Sequence, residues 1–337
     1  MSKRSDRLAA ITATAEAHFG APVIRVDTPG GEGRSSCRLH FPDRSVIATH
    51  RPNFRRAHLE AYVLHRLAPI CDVVPECLGI VGETIFQSDL GDRRLNQEIA
   101  RVSRTRRRAL AEEAVIGIHR IHAAARQIGL ETEMPHLGVT AEWIDNLGTA
   151  CAALAPYSEA RHQGVDLAAL TEALAVAPRQ FVKWDCRSGN AALGPDDRLR
   201  WFDFEYAGVR HGAEDFAWLL GDEAWPLSPA DMDEILQDSF DPTCGHDRDD
   251  WFDYLAIYTT LHCVQRFKLI VKEAAARGWL SKSRVRKYDD AGVHPEFAAH
   301  LCRAGAHFAA RHPLTQAIGR DFEDAERVFN RIIADAA

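Results

Sequence analysis

The spacing of apolar residues predicts a helix followed by short strands at the start of the chain. Apolar side chains recur at intervals of three and four over residues 5–19, which is the period of an amphipathic helix, and Gly20 is placed to end it. Three apolar runs follow between clusters of turn residues, at 23–26, 36–41 and 45–50. These runs predict three strands joined by hairpin links.

From residue 59 onward the pattern predicts one more helix and two more strands, and the rest of the chain is mainly helical. Residues 59–67 predict a helix, residues 71–86 predict two more strands, and turn residues at 87–92 predict a connection of the kind that joins two lobes. The later helical patterns cover residues 110–125, 143–155, 167–176, 254–276, 295–312 and 321–334. The pattern therefore predicts a β-rich N-terminal part and a longer, mainly helical remainder.

The composition is that of an ordinary globular protein. Of the 337 residues, 46% are hydrophobic and 26% are charged, which is enough for a sizeable core and suggests about two domains. The formal net charge of −7 argues against a nucleic-acid partner, because binding a phosphate backbone requires a basic surface. No apolar run predicts a membrane span or a signal peptide, and the eight cysteines show no C-x-x-C motif. We therefore expect a cytoplasmic protein with reduced core thiols.

The strongest chemical signal lies in residues 180–205, where two short apolar runs flank a polar loop and a hairpin. The loop carries Asp185 and Asn190, and the end of the hairpin carries Asp203. This layout suits phosphoryl transfer, because the first Asp can accept the proton of an attacking hydroxyl while the Asn and the second Asp hold a magnesium ion. Arg187 stands where a cation could meet the transferring phosphoryl group. The alternative is an ordinary hairpin with acidic turn residues.

The same stretch resembles the catalytic segment of the aminoglycoside phosphotransferase and choline kinase family, the small-molecule branch of the protein-kinase-like fold. The family pattern is roughly H-G-D-x-H-x-x-N followed by I-D-[FW]-E. In this chain Lys183 and Trp184 replace the first His-Gly, and Arg187 replaces the second His. An Arg at that place is closer to the Lys in the catalytic loop of eukaryotic protein kinases. The resemblance assigns no role to Lys183 or Trp184.

The resemblance implies both a fold and a set of roles. It implies that Asp185 is the catalytic base and that Asn190 and Asp203 are metal ligands. It also implies a two-lobed, protein-kinase-like α+β fold, with a small antiparallel N-terminal lobe at residues 1–90 and a larger, mainly helical lobe at residues 91–337. ATP, or GTP, and Mg²⁺ would bind between the lobes.

A glycine-rich link precedes the second predicted strand and contains Gly30, Gly31, Gly33 and Ser35. A hairpin of this kind can bring backbone N–H groups against phosphates because no side chain blocks the approach. Glycines in a hairpin are more often simple turn residues. The prediction of a phosphate site here therefore depends on the presence of Asp185 downstream.

A kinase-like site also needs a cation on the third strand, paired with a helix Glu. That strand contains no Lys, and strand alternation places His50 and Arg51 on opposite faces. The family register favours His50, whereas permanent charge favours Arg51, and the sequence leaves both open. Glu60 resembles the helix Glu of the family, with an exposed helix residue as the alternative. The resemblance further assigns adenine binding to the backbone of the connection that includes Gln87 and Asp89.

Several downstream residues extend this interpretation. Asp215 matches a family Asp that hydrogen-bonds the backbone of the catalytic loop. The acid-rich residues 222–253 could line an acceptor pocket and favour a cationic substrate, or they form a solvated acidic face. Asp289 lies in a predicted loop that could form a lid over the acceptor. His119 and His122 are three apart on a predicted helix, but no carboxylate completes a metal site at helical spacing, so packing is favoured.

The sequence therefore predicts a phosphotransferase that moves the γ-phosphoryl group of ATP or GTP to a hydroxyl of a small molecule, such as an amino sugar or an amino alcohol. Two alternatives stay open. One is a kinase of a peptide or protein hydroxyl, suggested by the Lys-like position of Arg187. The other is a catalytically weak nucleotide-binding module, suggested by the missing strand Lys. No nucleic-acid or membrane partner is expected.

Overall fold

The computed structural model describes residues 3–29, 31, 34–175 and 179–335. Its N-terminal part contains an antiparallel sheet of five strands in the order β1-β2-β3-β5-β4. The strands are β1 Arg25–Asp27, β2 Ser36–His40, β3 Ser45–His50, β4 Cys77–Val81 and β5 Thr84–Ser88. Residues 71–76, which the pattern had assigned to a strand, precede β4 instead.

Two helices cover the two faces of this sheet. Helix α1 (Lys3–Phe19) packs Ile11 against Leu39 and Phe86 in a small apolar core on one face. Helix α2 (Phe54–Leu67) lies on the other face, and its residues Ala61, Val63, Leu64 and Leu67 belong to the main core of the molecule. It begins five residues earlier than predicted, because the side chain of Asn53 caps it by accepting the backbone N–H of Arg56.

The rest of the chain is mainly helical. Its helices are α3 Leu95–Glu98, α4 Arg104–Gln127, α5 Ala141–Thr149, α6 Leu167–Leu174, α7 Ala213–Leu220, α8 Pro229–Ser239, α9 Arg248–Arg277, α10 Lys282–Tyr288, α11 Pro295–Ala309 and α12 Gln316–Asp335. Its short strands are β6 Arg93–Arg94, β7 Gln180–Val182, β8 Ala191–Leu193, β9 Leu199–Trp201 and β10 Gly208–Arg210. Strand β7 pairs with β10, and β8 pairs with β6 and β9, so the predicted hairpin after the polar loop is present.

Two helical segments differ from those that the sequence predicted. The helix predicted at 143–155 changes to a 3-10 helix at Ala150–Tyr157, where Pro156 disfavours a continued α-helix. Helix α8 lies in the acid-rich stretch and was not predicted, although Ser228 caps it and Pro229 occupies its first turn.

The two-lobed α+β architecture is thus confirmed. In the part of the chain that the structure describes, no helix is both long and apolar enough to cross a bilayer. All eight cysteines are free thiols, and every one except the half-buried Cys77 is buried, as expected.

Candidate active site

The loop between β7 and β8 brings three of the predicted site residues into direct contact. Arg187 donates from Nε to Oδ1 of Asp185 at 2.7 Å. Asn190 donates from Nδ2 to Oδ2 of Asp185 and to its backbone oxygen, both at 2.9 Å. A one-turn 3-10 helix, residues 188–190, closes the loop and turns Asn190 back toward Asp185. Asp185 is therefore held in one orientation by two side chains of its own loop.

The electrostatic surroundings of Asp185 favour its ionised form. Burial raises the pKa of this carboxyl, but the cations of Arg187, Lys183 and Arg266 outweigh burial, so the pKa lies below its ordinary value. The pKa of Arg187 is in turn raised, because Asp185 and Asp289 outweigh the effect of burial. The loop thus contains a carboxylate that can accept a hydrogen bond from a hydroxyl at neutral pH.

Asp203 follows β9 by two residues and meets the N-terminal lobe through Arg51. The guanidinium of Arg51 donates to Oδ1 of Asp203 at 2.7 Å and to Oε2 of Glu60 from two nitrogens, at 2.7 and 2.9 Å. Its third nitrogen, Nη1, lies 2.7 Å from Oε1 of Glu205. One Arg therefore joins three carboxylates from both lobes, a geometry for which a planar fork is suited and an ammonium is not.

This arrangement distinguishes Arg51 from His50. Arg51 comes directly after β3 and is on the face of the sheet that carries α2, whereas Ala48, on the face of His50, belongs to the core beneath α1. His50 instead lies 3.4 Å from the hydroxyl of Thr84 and 4.0 Å from Glu83. Of the two predicted cations, only Arg51 reaches the acids of the site.

Glu60 is buried and uses both carboxylate oxygens. Besides Arg51, it accepts from Nε2 of Gln87 at 3.0 Å and from the backbone N–H of Phe204 at 3.2 Å. The alternative of an exposed helix Glu is therefore wrong. Gln87 lies inside β5, paired with both β3 and β4, so the predicted start of the connection at residue 87 is also wrong.

Asp89 lies at the start of the connection between the lobes, and its carboxylate binds this connection to the sheet. Its carboxylate forms an ion pair with Nε of Arg38 at 2.6 Å and accepts from the hydroxyl of Ser45 at 2.6 Å. It also accepts the backbone N–H of Gly91 at 2.9 Å. The side chain of Asp89 thus holds β2, β3 and the connecting segment together.

The glycine-rich link faces the C-terminal lobe. Gly30 and Gly33 lie outside the described residues. Gly31 has a positive φ of 91°, and a Cβ there would come within 2.9 Å of the ring of Tyr288. The backbone oxygen of Ser35 accepts the N–H of His50 at 3.1 Å. Gly31 of the link is therefore close to the C-terminal end of α10.

Asp215 occupies the position that the resemblance implied. Its two carboxylate oxygens accept the backbone N–H groups of Lys183 and Trp184, each at 2.7 Å, and one of them also lies 2.8 Å from Nε2 of His122. Asp215 is fully buried and is not the N-cap of α7, which is Gly212. His122 packs and orients Asp215, in line with the packing role predicted for the histidine pair.

The sequence did not reveal several side chains that support this loop. Asp222 accepts from the backbone and the hydroxyl of Ser188, at 2.8 and 2.5 Å. Glu223 forms a buried bidentate ion pair with Arg266, in which Nη2 donates to Oε1 at 2.6 Å and Nε donates to Oε2 at 3.1 Å. Both acids come from the acid-rich stretch, but no local pattern separates them from its exposed members. Glu205 had a usable signal, because it stands at the Glu of the I-D-[FW]-E pattern, two residues after Asp203.

Four other acids of that stretch have partners away from the loop. Asp233, Glu234 and Asp241 pair with arginines elsewhere on the surface. Asp247 caps α9. For these four side chains the alternative of a surface position fits better than a place in an acceptor pocket beside Asp185.

The chemistry of two site residues fits a magnesium ion. Magnesium prefers oxygen ligands and needs only one or two protein side chains when phosphates supply the others. The amide nitrogen of Asn190 points to Asp185, which leaves its oxygen for another partner, and Asp203 is partly exposed. The described residues contain no group of three or more His, Cys, Asp and Glu side chains suited to bind a metal ion without such help.

Comparison with known proteins identifies the fold. No family model matches the sequence, and no curated protein matches it. Aminoglycoside 2'-phosphotransferase-IIIa, solved as a GDP complex, is 13% identical over 86% of this chain and 99% of its own, with a TM-score of 0.58. Spectinomycin phosphotransferase, solved with ADP and spectinomycin, is 10% identical over 88% and 98%, with a TM-score of 0.56. The choline kinase LicA from Streptococcus pneumoniae is 12% identical over 85% and 98%, with a TM-score of 0.51. The chain therefore has the protein-kinase-like fold of the aminoglycoside phosphotransferases and choline kinases.

Proposed function

We propose that this protein is an ATP- or GTP-dependent phosphotransferase that acts on a hydroxyl group of a small molecule. The observation that carries the proposal is the meeting of two groups of side chains at one place. Asp185, Arg187 and Asn190 form one group. The Arg51–Glu60 pair contacts Asp203, whose neighbour Phe202 donates its backbone N–H to the backbone oxygen of Asn190 at 2.9 Å. Base, metal ligands and phosphate-binding cation are the parts that phosphoryl transfer requires.

Each residue has a distinct task in the proposed reaction. Asp185 orients the acceptor hydroxyl and takes its proton, while Arg187 offsets the charge that develops on the phosphoryl oxygens. Asn190 and Asp203 hold Mg²⁺, which neutralises charge on the phosphates of the nucleotide. Arg51 binds the nucleotide phosphates, with Glu60 keeping it in place. The backbone of the glycine-rich link and of the connection after β5 is proposed to bind the phosphates and the base.

The acceptor is proposed to be small and cationic, such as an amino sugar or an amino alcohol. The solved proteins of the same fold include enzymes named for aminoglycosides, spectinomycin and choline. Next to Asp185 in the chain, Trp184 is partly exposed, and its ring centre lies 6.1–6.4 Å from those of Trp143, Trp218 and Tyr258. Aromatic faces attract organic cations, which supports this choice over an anionic acceptor.

The experiment that tests this function has two stages. Thermal melting with ATP and with GTP, each with and without Mg²⁺, reports nucleotide binding, because a ligand at a hundredfold excess over its Kd stabilises the native state by roughly 2.7 kcal/mol. Turnover is then measured with amino alcohols, amino sugars and peptides as acceptors. Asp185→Asn should abolish acceptor-dependent transfer and leave the melting shift in place. Full turnover by Asp185→Asn would contradict the role of Asp185.

One observation favours a second candidate, a nucleotide-binding module with little catalytic activity. Arg51 is bound to Asp203 in this structure, so a metal ligand of the proposed site is occupied by a cation of the chain itself. A magnesium-dependent melting shift without turnover on any acceptor would favour this candidate. A magnesium-dependent shift together with acceptor-dependent ADP formation would exclude it.

A further inference from the structure

Lys183 is a buried cation that touches both halves of the candidate site. Its side chain is fully buried, and Nζ donates to the backbone oxygen of Asp203 at 3.0 Å. The same Nζ donates to the backbone oxygens of Trp184 and Asp185, each at 3.4 Å. One ammonium group therefore connects the loop that carries the proposed base with the segment that carries a proposed metal ligand.

The three carbonyl groups that Lys183 binds belong to residues in an unfavourable backbone conformation. Trp184, Asp185 and Asp203 have φ values of 62°, 49° and 66°. Within the described ranges only six non-glycine residues have positive φ, and these three are half of them. Such conformations persist only where the surroundings hold them, and they determine where the following side chains point. Lys183 is in contact with the peptide groups that set the directions of both carboxylates.

The surroundings of Nζ explain why a lysine can serve here. An ammonium has three donors and no acceptor, which matches three carbonyl oxygens. Nζ also lies 5.3 Å from the ring centre of Phe204 and 5.8 Å from that of Trp201, where aromatic faces favour a cation. Among the described residues no carboxylate forms an ion pair with it. Its backbone N–H is fixed separately by Asp215, so the residue is anchored at both ends.

We propose that Lys183 is a positioning residue of the phosphotransfer site, which fixes the Asp185 loop and the Asp203 segment relative to each other through their backbone oxygens. The inference rests on the proposed function for its catalytic consequence, but the positioning itself can be measured without activity. It also gives a task to a residue that the family resemblance left without one. Lys183 touches no reacting atom, so it acts only through Asp185 and Asp203.

Lys183→Met tests the proposal, because methionine fills similar space without donors or charge. Arg210→Met is the control for the loss of a buried cation, since Arg210 also donates to three backbone oxygens, those of Leu137, Gly138 and Leu174, and in addition pairs with the buried Glu214 at 2.8 Å. Hydrogen exchange measured by mass spectrometry on the nucleotide-free proteins gives the first readout. We expect exchange in Lys183→Met to accelerate about tenfold or more at residues 183–190 and at 202–206, but not in the sheet β1–β5. Unchanged exchange at these two segments, or equal acceleration everywhere, would overturn the proposal.

The second readout is catalytic and uses Mg·ATP with water as the acceptor. Because misplacing reacting groups by about 1 Å costs roughly a hundredfold in rate, we expect ATP hydrolysis by Lys183→Met to fall by about that factor. The Kd of Mg·ADP, measured by calorimetry, should change far less. Lys183→Arg keeps charge and donors and should recover at least part of the rate, whereas Arg210→Met should leave the rate of the folded protein unaltered. An equal loss in Arg210→Met, or a loss of ADP binding as large as that of the rate, would reduce Lys183 to a general stabilising role.

Two results separate this proposal from the proposed function. If the unaltered protein neither binds nor hydrolyses ATP, the proposed function fails, yet the exchange data still decide whether Lys183 positions the two segments. If Lys183→Met does not yield folded protein, Lys183→Gln, which keeps two donors without the charge, is measured with the same criteria.

Discussion

Arg51 shows what a single residue does for the association of the two lobes. Its guanidinium contacts Glu60 on α2, Asp203 after β9 and Glu205. Arg51, Glu60 and Glu205 are largely buried, whereas the side chain of Asp203 is 28% exposed. The attraction of these acids outweighs the effect of burial, so the pKa of Arg51 is raised and its charge is permanent. Without Arg51 three carboxylates would face one another with no cation between them.

Replacing Arg51 should therefore lower stability and weaken nucleotide binding together. Removing one partner of a buried ion pair costs about 3–5 kcal/mol, so we expect Arg51→Met to lower the free energy of unfolding by about 3 kcal/mol or more. Urea unfolding measures this loss, and calorimetry with Mg·ADP measures the weaker binding. Arg56→Met is the control, because Arg56 is exposed and lies 4.0 Å from Glu205, where a loss below about 1 kcal/mol is expected. Equal losses in the two variants would contradict the role assigned to Arg51.

The residues that the sequence could predict are those whose proximity depends on local chain geometry. Asp185 and Asn190 belong to one short loop, so their spacing alone brings them together. The choice between His50 and Arg51 could not be made in this way, since it depends on which face of β3 receives α2. Asp289 approaches Arg187 across 102 residues of sequence, and no local pattern encodes such a contact.

At the scale of elements, the segment after α10 links the glycine-rich hairpin to the catalytic loop. Arg34 in the hairpin donates to the backbone oxygens of Tyr288 and Asp289, the latter at 3.3 Å. The carboxylate of Asp289 lies 3.3 Å from two nitrogens of Arg187 and packs directly against Gly189. Tyr288 and Asp289 thereby connect Arg34 of the hairpin to Arg187 of the catalytic loop.

This contact predicts that Asp289 slows the entry of nucleotide. Asp289→Asn weakens the bond to Arg187 and with it the hold of the segment on the catalytic loop. We expect the association rate constant of Mg·ADP, followed by stopped-flow fluorescence of the site tryptophans, to rise. Asp290→Asn is the matched control, because the neighbouring Asp290 pairs with Arg277 instead. An unchanged rate in Asp289→Asn, or an equal rise in both variants, would contradict this account.

Elements with a clear apolar period and a cap or turn at each end were predicted close to their observed bounds. Helix α1 and strands β2 and β3 are examples, because each has one buried face and a turn residue at its end. Helix α8 was missed because its many acids conceal the apolar positions Met232, Ile235 and Leu236 that face the core. The positions of α2 and α10 against the site depend on tertiary packing, which the period of a single helix does not specify.

At the scale of the whole molecule, one apolar core extends through both lobes. The buried face of α2, with Leu64 and Leu67, belongs to the same core as Leu110 and Ile118 of α4. Two smaller clusters are separate from it, one beneath α1 and one formed by Ala224, Val285 and Phe297. Lobes that share a core are expected to unfold together, so a single transition should be seen by calorimetry and by tryptophan fluorescence.

The stability of this core should also depend on pH through buried histidines, of which His211 gives the sharpest test. Burial, together with the nearby His246, Arg179 and Arg210, lowers the pKa of His211 to about 2, so the ring stays neutral when the protein is folded. In the unfolded chain a histidine takes up a proton below about pH 6.5, so the unfolded state binds more protons there and the folded state loses stability as the pH falls. His211 stacks on His246 and on Tyr254, with ring centres 3.9 Å apart in each pair. Its Nδ1 has no hydrogen-bond partner among the described residues. Phenylalanine can therefore replace it without the loss of a hydrogen bond from that atom.

We therefore expect His211→Phe to match the unaltered protein in its pH dependence above pH 6.5 and to lose less stability below it. The difference between the two proteins should grow by about 1.4 kcal/mol for each pH unit below the pKa of the unfolded chain. Urea unfolding at half-unit steps from pH 8 to pH 5 measures it, and the data above pH 6.5 serve as the internal control. Parallel curves over the whole range would show that His211 is protonated in the folded protein, and would contradict its neutral, stacked state.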